Sequence, residues 1–435
     1  MIRDSYRPLS PGRAASETSF WINLAALALS LGAVWLGRRL GFASPDAMFV
    51  VMLVSLLVFS VALETLFHPK TCGLLRFRLE RPLSWRRVAF REVALIATFL
   101  AIGFVYWLLP MFGDRQMVSH YRPFLMLFVT ALMLLSVPYF CLMDRIDPEE
   151  EDVLCRIGRA IVTRRRTVTR FELGNYVRSW AVKAFWLSLM QPAMVDKFKL
   201  LIYYPVSRLE GNPMEWYLVA TTVCFGIDLC YASAGYALNF KLFNTHTRTA
   251  EPTLTGWLAA ISCYWPFWGI LLSPYFFKYA RAVQWESLFD NGSVMWWIWA
   301  AAIILLELIY ALATVAAGIR FSNLTYRGLW NTGPYRWTKH PAYVFKGLSW
   351  WLISVPFIVN DGADALKSTL LLIGVNLIYY ARAKTEERHL SNYPEYVEYA
   401  LEMNERSIFR WCAKLIPALK YVPPKEGARL FEVSQ

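Results

Sequence analysis

Stretches of 17 or more predominantly apolar residues recur along this 435-residue chain, and nothing else in it limits the fold as tightly. Coiled as a helix, a run of that length matches the hydrocarbon core of a bilayer, where a helix satisfies its own backbone. Such stretches fall at 20–37, 46–66, 92–112, 123–143, 215–238, 255–277, 294–318 and 343–359, with one a residue shorter at 366–381. Composition agrees, since only 18% of residues are charged where ordinary soluble domains carry about 25%. The expected fold class is all-α, a polytopic integral membrane helical bundle. Residues 20–37 lack a small-residue cleavage site after them and read as a retained first span rather than a signal peptide.

Basic residues set the orientation. The loop 67–91 carries Lys70, Arg76, Arg78, Arg81, Arg86, Arg87 and Arg91, and 144–172 carries Arg145, Arg156, Arg159, Arg164, Arg165, Arg166 and Arg170. The loop 113–122 between them holds only Arg115 and Arg122. The basic loops and both termini are therefore expected on the cytoplasmic side. Nine spans cannot place both ends there, so about ten transmembrane helices are expected, the tenth over 176–195, which includes Trp180, Lys183 and Trp186. A rival arrangement lays 176–204 in the interface and makes 255–277, interrupted by Pro266 and Pro274, re-entrant. The expected location is a bacterial inner membrane, the bilayer being the first partner. The net charge of +13 reads as positive-inside bias; no basic stripe interleaved with aromatics points to nucleic acid. The seven cysteines form no C-x-x-C pair and read as small buried hydrophobes, and no His/Cys cluster suggests a metal.

Two polar motifs flank the last hydrophobic hairpin. The first runs Gly333-Pro334-Tyr335-Arg336-Trp337-Thr338-Lys339-His340-Pro341-Ala342-Tyr343; the second is Glu386-Glu387-Arg388-His389-Leu390, followed by Tyr393, Tyr396 and Tyr399. At about 1.5 Å per residue, a chain that climbs from Tyr343 and turns near Asp361–Ala365 regains its starting level near Lys384. Glu386 and Glu387 then arrive beside His340. The two prolines make 331–341 irregular backbone, which at membrane level persists where it lines a polar cavity or is buried in protein. Arg336 and Lys339 offer donors to an anion, His340 a ring nitrogen, and the two glutamates acceptors to ammonium or hydroxyl groups. Tyr335, Tyr343, Tyr393 and Tyr396 offer rings to a base or a cation. Asn376, Tyr380, Ala383 and Glu387 share one helix face; Tyr379, Arg382, Glu386 and His389 share the next. The set suits a ligand with a carboxylate, an amine, hydroxyls, a planar base and a positive centre, as in S-adenosylmethionine. The plainer alternative makes the cations snorkelling anchors and the glutamates a solvated helix end.

In this order and spacing, the two motifs resemble the signature of the isoprenylcysteine carboxyl methyltransferase and phospholipid methyltransferase superfamily, over roughly 320–410. The resemblance implies an integral membrane, S-adenosylmethionine-dependent methyltransferase acting on a lipidic or prenylated carboxylate or amine at the cytoplasmic face. It implies cofactor-binding roles for Tyr335, His340, Pro341, Tyr343, Glu386, Glu387 and Tyr396. Asn376 joins them by its helix face. Arg336 and Arg248 are the cations expected to pin an anionic head group during transfer. The division that follows is an N-terminal transmembrane region, 1–290, open to a substrate-binding role, and a methyltransferase-like membrane domain, 291–435. The chain departs from the family pattern at Phe345-Lys346, where members often carry Gly and where a ring has room to narrow the cofactor slot. It also carries 401–406 in place of an Arg-Val-Pro stretch. Alternatives are an NADPH-dependent sterol or isoprenoid reductase-like enzyme, whose usual tail motif is missing here, and a non-catalytic transporter or scaffold.

Elsewhere, Asp228 and Glu307 fall inside apolar runs, where an ionisable group either lines a cavity or makes a structural hydrogen bond. Lys183 and Glu64 lie near span ends and are expected to snorkel. The run Asp147–Arg170 reads as a solvated cytoplasmic helix, and Trp296-Trp297 and Trp350-Trp351 as interfacial belts.

Overall fold

A computed structural model describes residues 16–42, 44–68, 81–108, 115–272, 284–358 and 362–424, and these are helical almost throughout. Lys70, Cys72, Arg76, Arg78 and Pro274 lie outside the described residues. The helices are α1 (Phe20–Arg39), α2 (Pro45–Phe67), α3 (Trp85–Leu108), α4 (Arg115–Ile146), α5 (Val153–Thr163), α6 (Arg170–Ile202) and α7 (Pro213–Ala237). They continue as α8 (Leu254–Ile261), α9 (Val294–Ala317), α10 (Pro341–Ser354), α11 (Gly362–Leu390), α12 (Pro394–Arg406) and α13 (Arg410–Leu415). Side-chain caps start several of them. Ser44 accepts from the Ala47 amide at 3.1 Å, and Thr169 and Glu172 form a reciprocal capping box at the head of α6.

Six of these helices are long and apolar enough to cross a membrane: α1, α2, α3, the 125–146 part of α4, α7, and α9 with its extension to Arg320. Two expected spans take another form. The stretch 255–277 is not one helix, because Pro266 removes a backbone donor and its ring blocks the preceding turn; α8 is 8 residues long and a π-helical segment follows at Phe267–Leu272. The stretch 343–359 yields α10, 14 residues long, or about 21 Å. It stops at Val355, in a left-handed conformation with φ 34°, before Pro356, as the residue ahead of a proline avoids the helical region.

α1 and α2 form a hairpin; α6 packs on α2 and α7, and α9 lies between α7 and α10. The principal core gathers Met48, Met52, Leu56, Trp186, Leu229, Tyr231 and Tyr236. At one end of the bundle Val355 joins Tyr217, Trp285 and Trp296. Trp296 is thus a core residue, whereas Trp297 is exposed. At the other end the short strands β1 (Thr249–Ala250) and β2 (Thr325–Tyr326) pair antiparallel, Thr249 opposite Tyr326. The contacts of α1 and α7 with α9, and of β1 with β2, run across the boundary expected at residue 290.

Glu64 does not snorkel. It is buried and meets the buried Arg320 through two bonds, 2.6 and 3.0 Å, because it lies on the face of α2 that packs inward with Leu56 and Ser60, while Leu66 and Phe67 at the helix end are exposed. Nor does Lys183 reach an interface; its ammonium lies 3.9 Å from the centre of the Trp180 ring. The acidic–basic run is packed in part: Asp147, Cys155, Ile157 and Gly158 are buried, while 161–166, with Arg164, Arg165 and Arg166, is exposed as expected. α5 lies on α3, Asp144 takes Arg87 at 2.7 Å and Arg91 at 2.9 Å, and Asp152 takes Arg91 at 3.2 Å.

Candidate functional site

The irregular segment before α10 is shaped by its neighbours. Gly333 has φ +59°, and a side chain there would lie 2.6 Å from the Phe20 ring, so only glycine meets both demands. Gly318, which ends α9 at φ +59°, is pressed in the same way against Asn23. α1 therefore presses on this segment at two points, Gly318 and Gly333. Tyr335 follows in a 3-10 turn over Gly333–Arg336, and its carbonyl accepts from the Tyr399 hydroxyl at 2.8 Å. Pro341 is buried at the first position of α10, where its fixed φ suits a helix start.

The hairpin brings the two motifs together. Glu387 takes His340 Nε2 at 3.2 Å, Lys339 Nζ at 2.7 Å and Lys384 Nζ at 2.8 Å. Burial pushes the Glu387 carboxyl upward, but the hydrogen bonds and charges of His340 and Lys339 more than offset this and hold it well below the carboxylate range. Burial in turn lowers Lys339, against the pull of Glu387. Tyr343 donates to Glu386 Oε2 at 2.7 Å, and its ring lies parallel to that of His340, centroids 5.5 Å apart.

These groups border a cavity of about 620 Å³, within the 300–1,000 Å³ range typical of ligand sites. Tyr335, His340, Tyr343 and Glu386 line its polar end. Arg382 lies there too, its guanidinium 4.9 Å from the Tyr343 ring centre and bonded to Asn323 Oδ1 at 2.5 Å. Farther in, the wall is apolar and aromatic, built from Leu189, Met190 and Ala193 of α6 with Trp265, Trp268 and Trp350. Asp228 faces this part and is held by the hydroxyls of Tyr310, at 2.6 Å, and Thr314.

Other sequence-predicted residues lie outside the lining. Glu387 braces His340 from behind. Asn376 sits between α11 and α10, its amide donating to the Leu372 carbonyl at 2.8 Å and its oxygen against Gly347. Tyr396 is buried among Tyr326, Tyr393, Tyr399 and Tyr421. Arg336 is exposed on the outer side of its turn. Arg248 bonds Glu17 at 2.7 Å and covers the Tyr326 ring. Neither arginine borders the cavity; Arg382 and Lys346 are the cations that do. The sequence signal for Arg382 was its place four residues before Glu386, on one face. Phe345 points away from the cavity, edge-on to Trp337 at 6.4 Å and near Phe409, so its ring does not narrow the slot. Glu307 is not among the lining residues.

At the tip of α11, His389 is buried; its Nε2 is 3.0 Å from the Thr249 hydroxyl. Burial, then the charges of Arg178 and Arg388, push its imidazole down to about 3. A histidine depressed in this way favours the fold above its unfolded value, near 6.5, and loses that contribution as pH falls toward the folded value. Between pH 6.5 and 4.5 stability is therefore expected to fall. The check is the thermal midpoint in detergent across that window, which should fall more steeply for the native chain than for His389→Asn.

Comparison with protein-family models, with curated proteins and with solved structures finds no match to this chain.

Proposed function

We propose that this chain is an integral membrane S-adenosylmethionine-dependent methyltransferase acting on a lipidic or prenylated acceptor at the cytoplasmic face. The observation that carries the reading is the meeting of Tyr335, His340 and Tyr343 with Glu386, from across the hairpin, around one cavity that continues into an apolar wall. The donor set fits the cofactor. Arg382 suits its carboxylate, Glu386 its ammonium or ribose hydroxyls, and the tyrosine rings its adenine and positive sulfur. Bound there, the cofactor supplies an electrophilic methyl group.

The protein's own contribution is orientation. Methyl transfer is an in-line displacement, and holding the partners aligned supplies much of the rate. The apolar wall from α6 and the tryptophans holds a chain, which leaves its head beside the polar end. Asp228 and Glu386 are the carboxylates available to a proton released by an amine acceptor. In this reading Arg336, exposed outside the cavity, meets head groups at the membrane surface, while Arg248 is taken up by Glu17.

Ten crossings suit this arrangement. α6 and α11 are 33 and 29 residues long. α8 starts near β1, and α10 runs from near β2 to the cluster around Val355. Both termini then share the cytoplasmic side of a bacterial inner membrane. The test is saturable binding of labelled S-adenosylmethionine, with no binding of labelled NADPH, by the purified chain, and transfer of labelled methyl into a membrane lipid extract. Binding of NADPH instead, or of neither, would overturn the assignment.

A further inference from the structure

A second cavity, of about 480 Å³, opens between α3, α4 and α6, away from the first. Its walls are apolar and aromatic, with Phe99, Phe128, Leu132 and Phe140 among them. Lys183 borders it as well, 13 residues into α6 from Arg170, or about 20 Å along the helix. The charged groups at the loop end of the cavity are already matched. Asp152 takes Arg91 at 3.2 Å, and Lys241 takes Asp147 at 2.6 Å and Glu149 at 3.3 Å. Among the described residues no carboxylate pairs with Lys183; its described contact is the face of Trp180. An ammonium set at that depth among hydrocarbon side chains is costly unless an opposite charge arrives, and groups so placed commonly mark a ligand path.

We propose that this cavity binds a single-chain carboxylate amphiphile, of the long-chain fatty-acid type, with its carboxylate on Lys183 and its chain along the α3–α4 wall. One ammonium balances one negative charge, which favours a carboxylate over a phosphate monoester carrying nearly two. The apolar lining suits an unbranched chain. The site is independent of the methyltransferase reading, since the two cavities share no lining residue.

The test uses the purified full-length chain in lipid nanodiscs and a diazirine-bearing palmitate as photo-probe. Labelled peptides should come from α3, α4 and α6. Palmitate should compete at least tenfold better than hexadecanol, which has the same chain without the charge. Lys183→Met, which removes a charge from apolar surroundings without removing bulk, should erase that preference, and Lys183→Arg should retain it. Equal competition by acid and alcohol in the native chain, or an undiminished preference in Lys183→Met, overturns the proposal, as does labelling confined to other helices. Stronger competition by lysophosphatidate than by palmitate overturns the choice of a carboxylate.

Discussion

Replacing Glu386 with alanine is expected to weaken S-adenosylmethionine binding by roughly ten- to a hundredfold while leaving the fold intact. A hydrogen bond to a charged group contributes about 1.5–3 kcal/mol, and each 1.4 kcal/mol is tenfold in Kd. Glu386 borders the cavity, its side chain is 40% exposed, and its described hydrogen bond is from Tyr343. Its loss therefore strips a ligand contact without stranding a buried charge. Glu386→Gln should fall between, because the amide keeps an acceptor but not the charge. Glu387, its neighbour, is the poorer probe. Its carboxylate holds His340, Lys339 and Lys384 together, so Glu387→Ala leaves Lys339 buried and unmatched, and loss of the fold would precede any reading of affinity. Titration calorimetry on the Glu386 variants, with thermal unfolding as the control, decides the matter. A Kd for Glu386→Ala equal to that of the native chain would remove Glu386 from the binding site.

What the sequence made legible was local or nearly so. The rise per residue along two helices sufficed to bring Glu386 and Glu387 to the level of His340, since both lie on one hairpin and the turn between them fixes the register. The prolines at 334 and 341 marked irregular backbone for the same reason. What stayed hidden depends on partners far along the chain. Arg248 looked free to meet a head group because its partner, Glu17, lies 231 residues away. Phe345 looked like an obstruction because nothing nearby says that Trp337 and Phe409 receive it. Arg382 could be placed on one face with Glu386, but nothing near it in sequence says that Tyr264 and Asn323 draw it inward. Apolar length also misled at 255–277, where the hydrophobic count was right but Pro266 divides the helix. Hydropathy reports whether a segment suits the bilayer; it does not report whether that segment coils continuously.

Glu64 and Arg320 carry the second large prediction, on stability. The side chains are 256 residues apart in sequence and form a paired contact, 2.6 and 3.0 Å, with neither side chain more than 1% exposed. Thr18 donates to Glu64 at 2.7 Å, and Arg320 Nε donates to the Asn244 carbonyl at 3.2 Å. The pair fastens the end of α2 to the turn after α9, and the chain from that turn leads to His340. Arg320→Met leaves a carboxylate buried without its counter-charge, at a cost of about 3–5 kcal/mol. Changing both partners to apolar residues, Arg320→Met with Glu64→Leu, removes the stranded charge along with the bond and should recover most of that loss. The two single variants and the double one form a cycle whose coupling energy isolates the pair, read from reversible unfolding in detergent or from thermal midpoints. Because the pair anchors the 318–340 segment, Arg320→Met should also loosen cofactor binding even though Arg320 does not border the cavity. The double variant, stable again but without the electrostatic fastening, separates two roles. If its cofactor affinity returns with its stability, the pair serves the site through the fold; if stability returns and affinity does not, the fastening itself sets the position of His340.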